Sequence, residues 1–334
     1  MNKRVMLIGL MICFGSYLSF AQVKTDFTIA FGSCNKQDQN QPLWDDIGNE
    51  KPNLWIWLGD NIYGDSDDPF VLRAKYNMQL NNPGYKKFIE KIPVIGTWDD
   101  HDYGKNDGNK TFNIKKESQT LALDFLNEPA ESSRRKQHGI YTSYSYNVGK
   151  KKIKVILLDV RYHQDPLKKD ENGYIPDPQA DILGEEQWRW LQKQLRGNRA
   201  NVNIIGSGLQ FIPEEHRTEK WGNFPSSLSR FYKLLAKSKA KGVILISGDR
   251  HIGEISKTDI PGVKYPIYEF TSSGLTHSST NSKSMNKYRI GSLVTQKHYG
   301  VFRFTNIGKN LNLEASLKGE DGVTYTTEKI QFRD

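Results

Sequence analysis

Cysteine is almost missing from this chain: there are two in 334 residues, Cys13 and Cys34. A disulfide-stapled secreted scaffold is thereby excluded. Long apolar runs are missing as well. Residues 5–14 are too short to span a membrane comfortably, and no stretch after Ala21 is apolar for long enough to form a transmembrane helix. No Pro- or Gly-rich linker divides the chain and no internal repeat organises it, so residues 22–334 are read as a single domain with ample material for a core. The net charge of +9 comes from scattered residues such as Arg134, Arg135, Lys136 and Lys150, with no basic stripe interleaved with stacking aromatics. Nucleic acid is therefore not the expected partner, and a small anionic molecule suits the charge.

At the N-terminus, Lys3 and Arg4 precede the apolar residues 5–14, and Ser19-Phe20-Ala21 has small residues at the two positions a signal peptidase reads. Residues 1–21 are expected to be a signal peptide, cleaved after Ala21. Cleavage discards Cys13 and exports the rest to the periplasm or beyond. Cys34 is then a lone thiol in an oxidising compartment, which calls for burial or a task.

What the chain does contain is a series of short apolar runs, each ending in polar side chains. Residues 27–32 lead into Ser33 and Cys34. Residues 54–58, Leu-Trp-Ile-Trp-Leu, are apolar throughout, as a strand buried on both faces of an α/β core requires, and run into Gly59-Asp60-Asn61-Ile62-Tyr63. Between these runs, Leu43, Trp44 and Ile47 have helical spacing, which gives a βαβ unit with parallel strands. Residues 69–80 begin with Pro and place Phe70, Leu72, Tyr76 and Leu80 on one face of a helix. Residues 93–98 meet Asp99-Asp100-His101-Asp102-Tyr103, with Gly104 and Asn106 close behind. Later runs end at Asp159 and Arg161, at Gln210, and at Gly248-Asp249-Arg250-His251. In an open α/β sheet, residues just past the carboxyl ends of strands line the ligand crevice. Elsewhere, residues 104–133 read as an insertion or lid, helical over 116–127. Residues 184–196 and 226–239 read as scaffold helices, 272–296 as a mobile Ser-, Asn- and Lys-rich loop, and 299–332 as antiparallel strands.

Each polar strand end has a plain alternative. Asp60 caps a turn, the acids near Asp100 form a solvated turn, His251 is a satisfied structural histidine, and Arg161 makes a surface salt bridge instead of holding a phosphate. Adjacent like charges about 4 Å apart near a surface repel by about 4 kcal/mol, so the density of acids favours a cation. Collected, a thiolate, carboxylates, a phenol, imidazoles and amides make a two-metal ligand set. Ionising a free tyrosine at pH 7 costs about 4 kcal/mol, which a trivalent ion removes. Phenolate, thiolate and carboxylate favour Fe3+, while an oxygen-rich neighbour at Asp60, Asp100 and Asn106 suits Ca2+, Mg2+ or Mn2+.

Gly32-Ser33-Cys34, Gly59-Asp60-Asn61-Ile62-Tyr63, Trp98-Asp99-Asp100-His101-Asp102, Leu183-Gly184-Glu185-Glu186-Gln187-Trp188 and Gly248-Asp249-Arg250-His251 stand in an order and spacing that resembles a known family. It is that of the alkaline phosphatase D-like enzymes of the calcineurin-like metallophosphoesterase superfamily. The resemblance implies an α/β fold of four layers, α/β/β/α. It implies a secreted enzyme that hydrolyses phosphomonoesters or phosphodiesters by attack of a metal-bound hydroxide. It further implies a mixed centre of Fe3+ and Ca2+, with Mn2+, Mg2+ or Zn2+ as alternatives. By the same resemblance, Cys34, Asp60, Tyr63 and His251 hold the iron, Asp60 bridges to the second metal, and Asp100 and Asp249 serve there. Asn106 and Gln210 either touch a metal or stand behind a ligand, and His101 and Arg161 join Asp100 as candidate catalytic side chains. Well-known members carry a β-sandwich ahead of the catalytic domain, which this sequence does not show before Phe27. Two other classes stand beside this one: a secreted calcium-binding scaffold without turnover, and a zinc hydrolase of non-phosphate esters. If Tyr63 is a phenolate on Fe3+, the purified protein has a visible charge-transfer band that Tyr63→Phe abolishes. Absorption spectroscopy tests this, and an iron-free protein fully active on zinc alone would refute it.

Overall fold

Side-chain alternation along the central strands decides the layering. The computed structural model describes residues 25–333 apart from residue 308, so the expected leader, with Cys13, lies outside the described residues. The chain begins β1 (Thr25–Gly32), α1 (Leu43–Asn49), β2 (Leu54–Leu58), α2 (Pro69–Leu80), α3 (Pro83–Ile89) and β3 (Val94–Thr97). It continues with α4 (Asp100–Tyr103), α5 (Lys115–Phe125), β4 (Thr142–Val148), β5 (Lys151–Leu157), the small β6 (Lys169–Asp170) and β7 (Gly173–Tyr174), and α6 (Gly184–Leu195). Next come β8 (Val202–Ser207), α7 (Pro225–Ser238), β9 (Val243–Ser247), β10 (Gly253–Thr258) and β11 (Ile267–Ser272). The last strands are β12 (Arg289–Val294), β13 (Tyr299–Ile307), β14 (Asn310–Lys318) and β15 (Thr324–Phe332).

Two large sheets result, ordered β15-β14-β13-β1-β2-β3 and β12-β10-β11-β9-β8-β5-β4. The centre of each is parallel: β1 with β2 and β3 in one, and β5, β8, β9 and β11 in the other. Antiparallel strands flank both centres. Ile29, Phe31, Leu54, Ile56 and Leu58 of the first sheet meet Val155, Leu157, Ile204, Ile244 and Ile246 of the second, forming the inter-sheet core. Because strand side chains alternate faces, the residues between them point the other way. Ala30, Trp55 and Trp57 pack under α1–α5, and Ile156, Ile205, Val243 and Leu245 under α6 and α7. The expected α/β/β/α order of four layers follows. Among the described residues, no helix is long and apolar enough to cross a membrane.

The structure departs from the sequence reading in two stretches. The segment read as a lid, 104–133, carries α5, whose Leu121, Ala122, Leu123 and Phe125 join the core under the first sheet. Buried Arg134 fastens it, donating to the carbonyls of Gly96 and Ile140, each at 2.7 Å, and to Glu128 Oε2 at 3.1 Å. The Ser-, Asn- and Lys-rich stretch 272–296, read as a mobile loop, is partly a strand. β12 pairs antiparallel with β10, matching Ile255 to Ile290 and Ser256 to Arg289. Its pattern is hard to read because Gly291 interrupts it at φ 69°. Arg289, which donates to buried Glu254 at 2.7 Å, anchors it. Arg134→Ala is expected to destabilise the protein by about 3–5 kcal/mol, since it leaves buried acceptors without a donor. Denaturant unfolding measures the loss, and a change below about 1 kcal/mol would show that α5 is not held this way.

Candidate metal centre

The parallel strands of both sheets end at one crevice, and their first polar residues meet there. Cys34 lies two residues past β1, Asp60 two past β2, Asp99 and Asp100 just past β3, and Asp249 and His251 past β9. The turns that aim them are tight. Cys34, Asp60, Asp249 and His251 all have left-handed backbones, with φ of 61°, 50°, 67° and 52°. Such conformations cost about 1–3 kcal/mol each for a residue with a Cβ, and they persist where the surroundings over-determine them. Gly59, at φ 98°, is required for a second reason: a Cβ there would lie 2.4 Å from Asp99 Cβ.

Two clusters of ligating atoms share Asp60. In the first, atoms of Cys34, Asp60 and His251 lie within 4.8 Å of one another. Cys34 Sγ is 3.6 Å from Asp60 Oδ2, and Tyr63 Oη is 3.0 Å from His251 Nε2. In the second, atoms of Asp60, Asp100 and His101 are equally close, as are those of Asp99, Asp100 and Asp249. Asp60 Oδ1 is buried and has no hydrogen-bond partner. Burial, and then the neighbouring carboxylates, push Asp60 and Asp99 well above the usual carboxylate range. Burial and Asp100 raise Asp249 to about 7. Burial followed by the charges of Asp60 and Asp249 raises the Cys34 thiol, and burial followed by Cys34 and Asp60 raises the Tyr63 phenol. Asp100 alone is lowered: burial opposes its charge, but Arg161 and His101 outweigh that. The protein thus gathers acids that resist ionising together, with Asp60 Oδ1 and Asp99 Oδ2 both buried and without a hydrogen-bond partner. Such a donor set fits cations, soft and phenolic on the Cys34 side and oxygen-rich on the Asp100 side.

The remaining sequence candidates occupy distinct positions. His101 Nδ1–H donates to Asp65 Oδ1 at 2.6 Å, and its ring lies 4.3 Å from that of Tyr63. Burial lowers the basicity of His101, but the Asp65 hydrogen bond and the nearby acids raise it above the ordinary histidine range. Arg161 forms neither a surface bridge nor an open clamp. Fully buried, it donates from Nε to Asp99 Oδ1 at 2.6 Å and from Nη1 to Glu219 Oε2 at 2.5 Å, with Nη2 3.9 Å from Asp100 Oδ1. Asn106 is exposed, and its backbone N–H donates to Asp65 Oδ1 at 3.3 Å. Its neighbour Asp107 instead reaches the cluster, donating its N–H to Asp100 Oδ2 at 2.7 Å. Gln210 is buried; its Nε2 donates to Glu254 Oε1 and Thr271 Oγ1, at 2.8 and 2.7 Å, while its Oε1 has no hydrogen-bond partner. Asp102 holds the turns: its carboxylate accepts the N–H groups of Asp99, Asp60 and Asn61, at 2.7, 3.1 and 3.1 Å.

Sequence reasoning missed Asp65, Glu219 and His277. The first two follow no strand directly. His277 comes five residues after β11, and its Nε2 lies 3.0 Å from Tyr63 Oη and 3.2 Å from His251 Nε2. Because β11 runs parallel to β9, the strand-end rule applied there would have reached it.

Comparison with known proteins agrees with this geometry. Residues 29–331 match the family described as PhoD-like phosphatase. "Alkaline phosphatase D" of Bacillus subtilis (strain 168) is 21% identical over 272 residues, which cover 67% of this chain and 46% of that protein. The chain therefore spans about half the length of this curated relative. A solved structure described as "Structure of PhoD" superposes with a TM-score of 0.75 at 17% identity, covering 94% of this chain and 71% of that one, a likeness of fold. Since the family match takes in nearly every described residue, both sheets and all the strand ends that build the crevice, the chain belongs to the PhoD-like phosphatase family.

Proposed function

We propose that this chain is an exported, metal-dependent phosphoesterase that hydrolyses phosphomonoesters or phosphodiesters. The observation that carries the reading is the sharing of Asp60 between two clusters, which suits a pair of cations set close enough to act on one phosphoryl group. Cys34, Asp60, Tyr63 and His251 would hold Fe3+. Asp60, Asp100 and Asp249 would hold Ca2+, or else Mn2+, Mg2+ or Zn2+. When bound, the cations supply positive charge for the phosphoryl oxygens and lower the pKa of water toward about 7.

The chain's own residues do the rest. Cys34 is enclosed and turned to Asp60, and among the described residues no serine hydroxyl is hydrogen-bonded to an imidazole at the crevice, so an attacking side chain is not in place there. Water is the nucleophile. His101 has its Nδ1–H committed to Asp65, which leaves Nε2 to carry a hydrogen bond to a phosphoryl or leaving oxygen. Arg161 works from behind, fixing Asp99 and Glu219 and lowering the repulsion around Asp100. Lys36 Nζ, 5.3 Å from the centre of the Tyr63 ring, adds positive charge at the rim for an anionic ester.

Two substitutions separate holding cations from using them. Asp60→Ala should lose bound metal and turnover together, while His101→Ala should keep the metal and lose turnover by about 10²–10⁴-fold. Elemental analysis alongside hydrolysis of nitrophenyl mono- and diesters reads both. A His101→Ala protein with wild-type turnover would refute the role given to His101. The stereochemistry is also committed: attack by water inverts a chiral phosphorus and places label from heavy-oxygen water on the phosphate in one turnover. Retention of configuration, or a trapped phosphoprotein, would show that a side chain attacks.

A further inference from the structure

His277 lies outside every motif that identified the site, yet its ring edge enters it. Three atoms, Tyr63 Oη, His251 Nε2 and His277 Nε2, form a triangle with sides of 3.0, 3.0 and 3.2 Å. Two donors each about 2.1 Å from one ion and adjacent in an octahedron lie about 3.0 Å apart, so the triangle has the dimensions of one octahedral face. The rings meet edge-on: His251 and His277 are inclined at 64°, and Tyr63 and His277 at 68°. Edges, not faces, therefore converge.

The contacts behind His277 fix how its ring is turned. Thr276 Oγ1 donates its single hydrogen to the Cys34 carbonyl at 3.3 Å and accepts the Lys36 N–H at 2.8 Å. His277 Nδ1 lies 3.1 Å from the same oxygen, a contact that orients the ring. Its Nε2 is left facing Tyr63 and His251.

The backbone fastens His277 to the turns that present other donors. Thr276 N–H donates to the Cys34 carbonyl at 3.4 Å, Leu275 N–H to the Ser33 carbonyl at 3.3 Å, and Ser279 N–H to the His251 carbonyl at 2.7 Å. We infer that His277 is a further ligand of the cation held by Cys34, Asp60, Tyr63 and His251, with Thr276 fixing its orientation. The inference rests on the metal-dependent reading above. It adds a second imidazole to the pocket, strengthening its hold on ions that suit nitrogen donors, iron and zinc among them.

The test is metal retention, independent of turnover. Full-length protein is loaded with iron, and loss to a chelator is followed by elemental analysis and by the visible spectrum. His277→Ala should release iron at least tenfold faster than wild type and shift the visible band. Thr276→Val, which keeps the imidazole but removes its anchor, should release iron faster by a smaller factor. His277→Gln serves the same purpose if the alanine variant does not fold. If wild type retains iron and His277→Ala or His277→Gln retains it equally long with an unshifted band, His277 is not a ligand and the phosphoesterase reading still stands. If wild type binds no metal, both fall.

Discussion

The constraint on which the structure depends is the burial of like charges at one end of the sheets. Asp60, Asp99, Asp100 and Asp102 are buried, Asp249 stands half-buried beside them, and Arg161 is the guanidinium buried among them. Left alone, such a group raises its own carboxyl pKa values, and Asp249 and Asp102 both stand near 7. The protein distributes the problem. Asp102 is satisfied by three backbone N–H groups, Asp99 by Arg161 at Oδ1 though not at Oδ2, and Asp100 by the Asp107 N–H and the charge of Arg161. Asp60 receives no comparable neutralising partner, and one of its oxygens has no hydrogen bond at all. The unresolved charge therefore concentrates on the residue that joins the two clusters, which is where cations have most to gain.

Holding this arrangement requires a rigid frame. Strained left-handed turns at Cys34, Asp60, Asp249 and His251 are kept in place by what surrounds them. On one side is the inter-sheet core built from Ile29, Leu54, Ile56, Ile204 and Ile246, and on the other the tryptophan-rich layer in which Trp44 packs edge-on to Trp55 and Trp57 at 5.2 and 5.5 Å. The aromatic content of β2 has this purpose: one strand serves both layers, and its carboxyl end presents Asp60. Burial of Trp and Leu side chains stabilises the frame by about 1.5–3 kcal/mol for each fully enclosed aliphatic residue, enough to offset several strained turns.

Much of this was legible in the chain itself. Continuous apolar runs of strand length, separated by helical spacing, lead to an α/β core, and the observed bounds of β2 coincide with the run 54–58. The polar residues that close those runs include all the members of both clusters. Less legible were residues whose role depends on partners distant in sequence. Arg161 could be read as a surface bridge or a phosphate clamp because its burial against Asp99 and Glu219 follows from three loops meeting. Asn106 was favoured by composition, yet the turn at Asp107, with φ 57°, brings Asp107 and not Asn106 toward Asp100.

The stretch 272–296 marks the boundary most clearly. Its composition suggested mobility, since neither helical nor strand periodicity runs through it, and local pattern is the only information a single chain offers there. Pairing with β10 made part of it a strand, and anchoring of Thr276 to the Cys34 turn delivered His277 to the site. The sequence by itself therefore determined the layers, the strand ends and the kinds of donor they present, because these depend on short-range periodicity and on residue chemistry. Which donors converge, and which acids are satisfied before any ion arrives, was decided only by the tertiary structure. Those outcomes are set by distances between turns that lie up to some 240 residues apart along the chain, as Cys34 and Thr276 do.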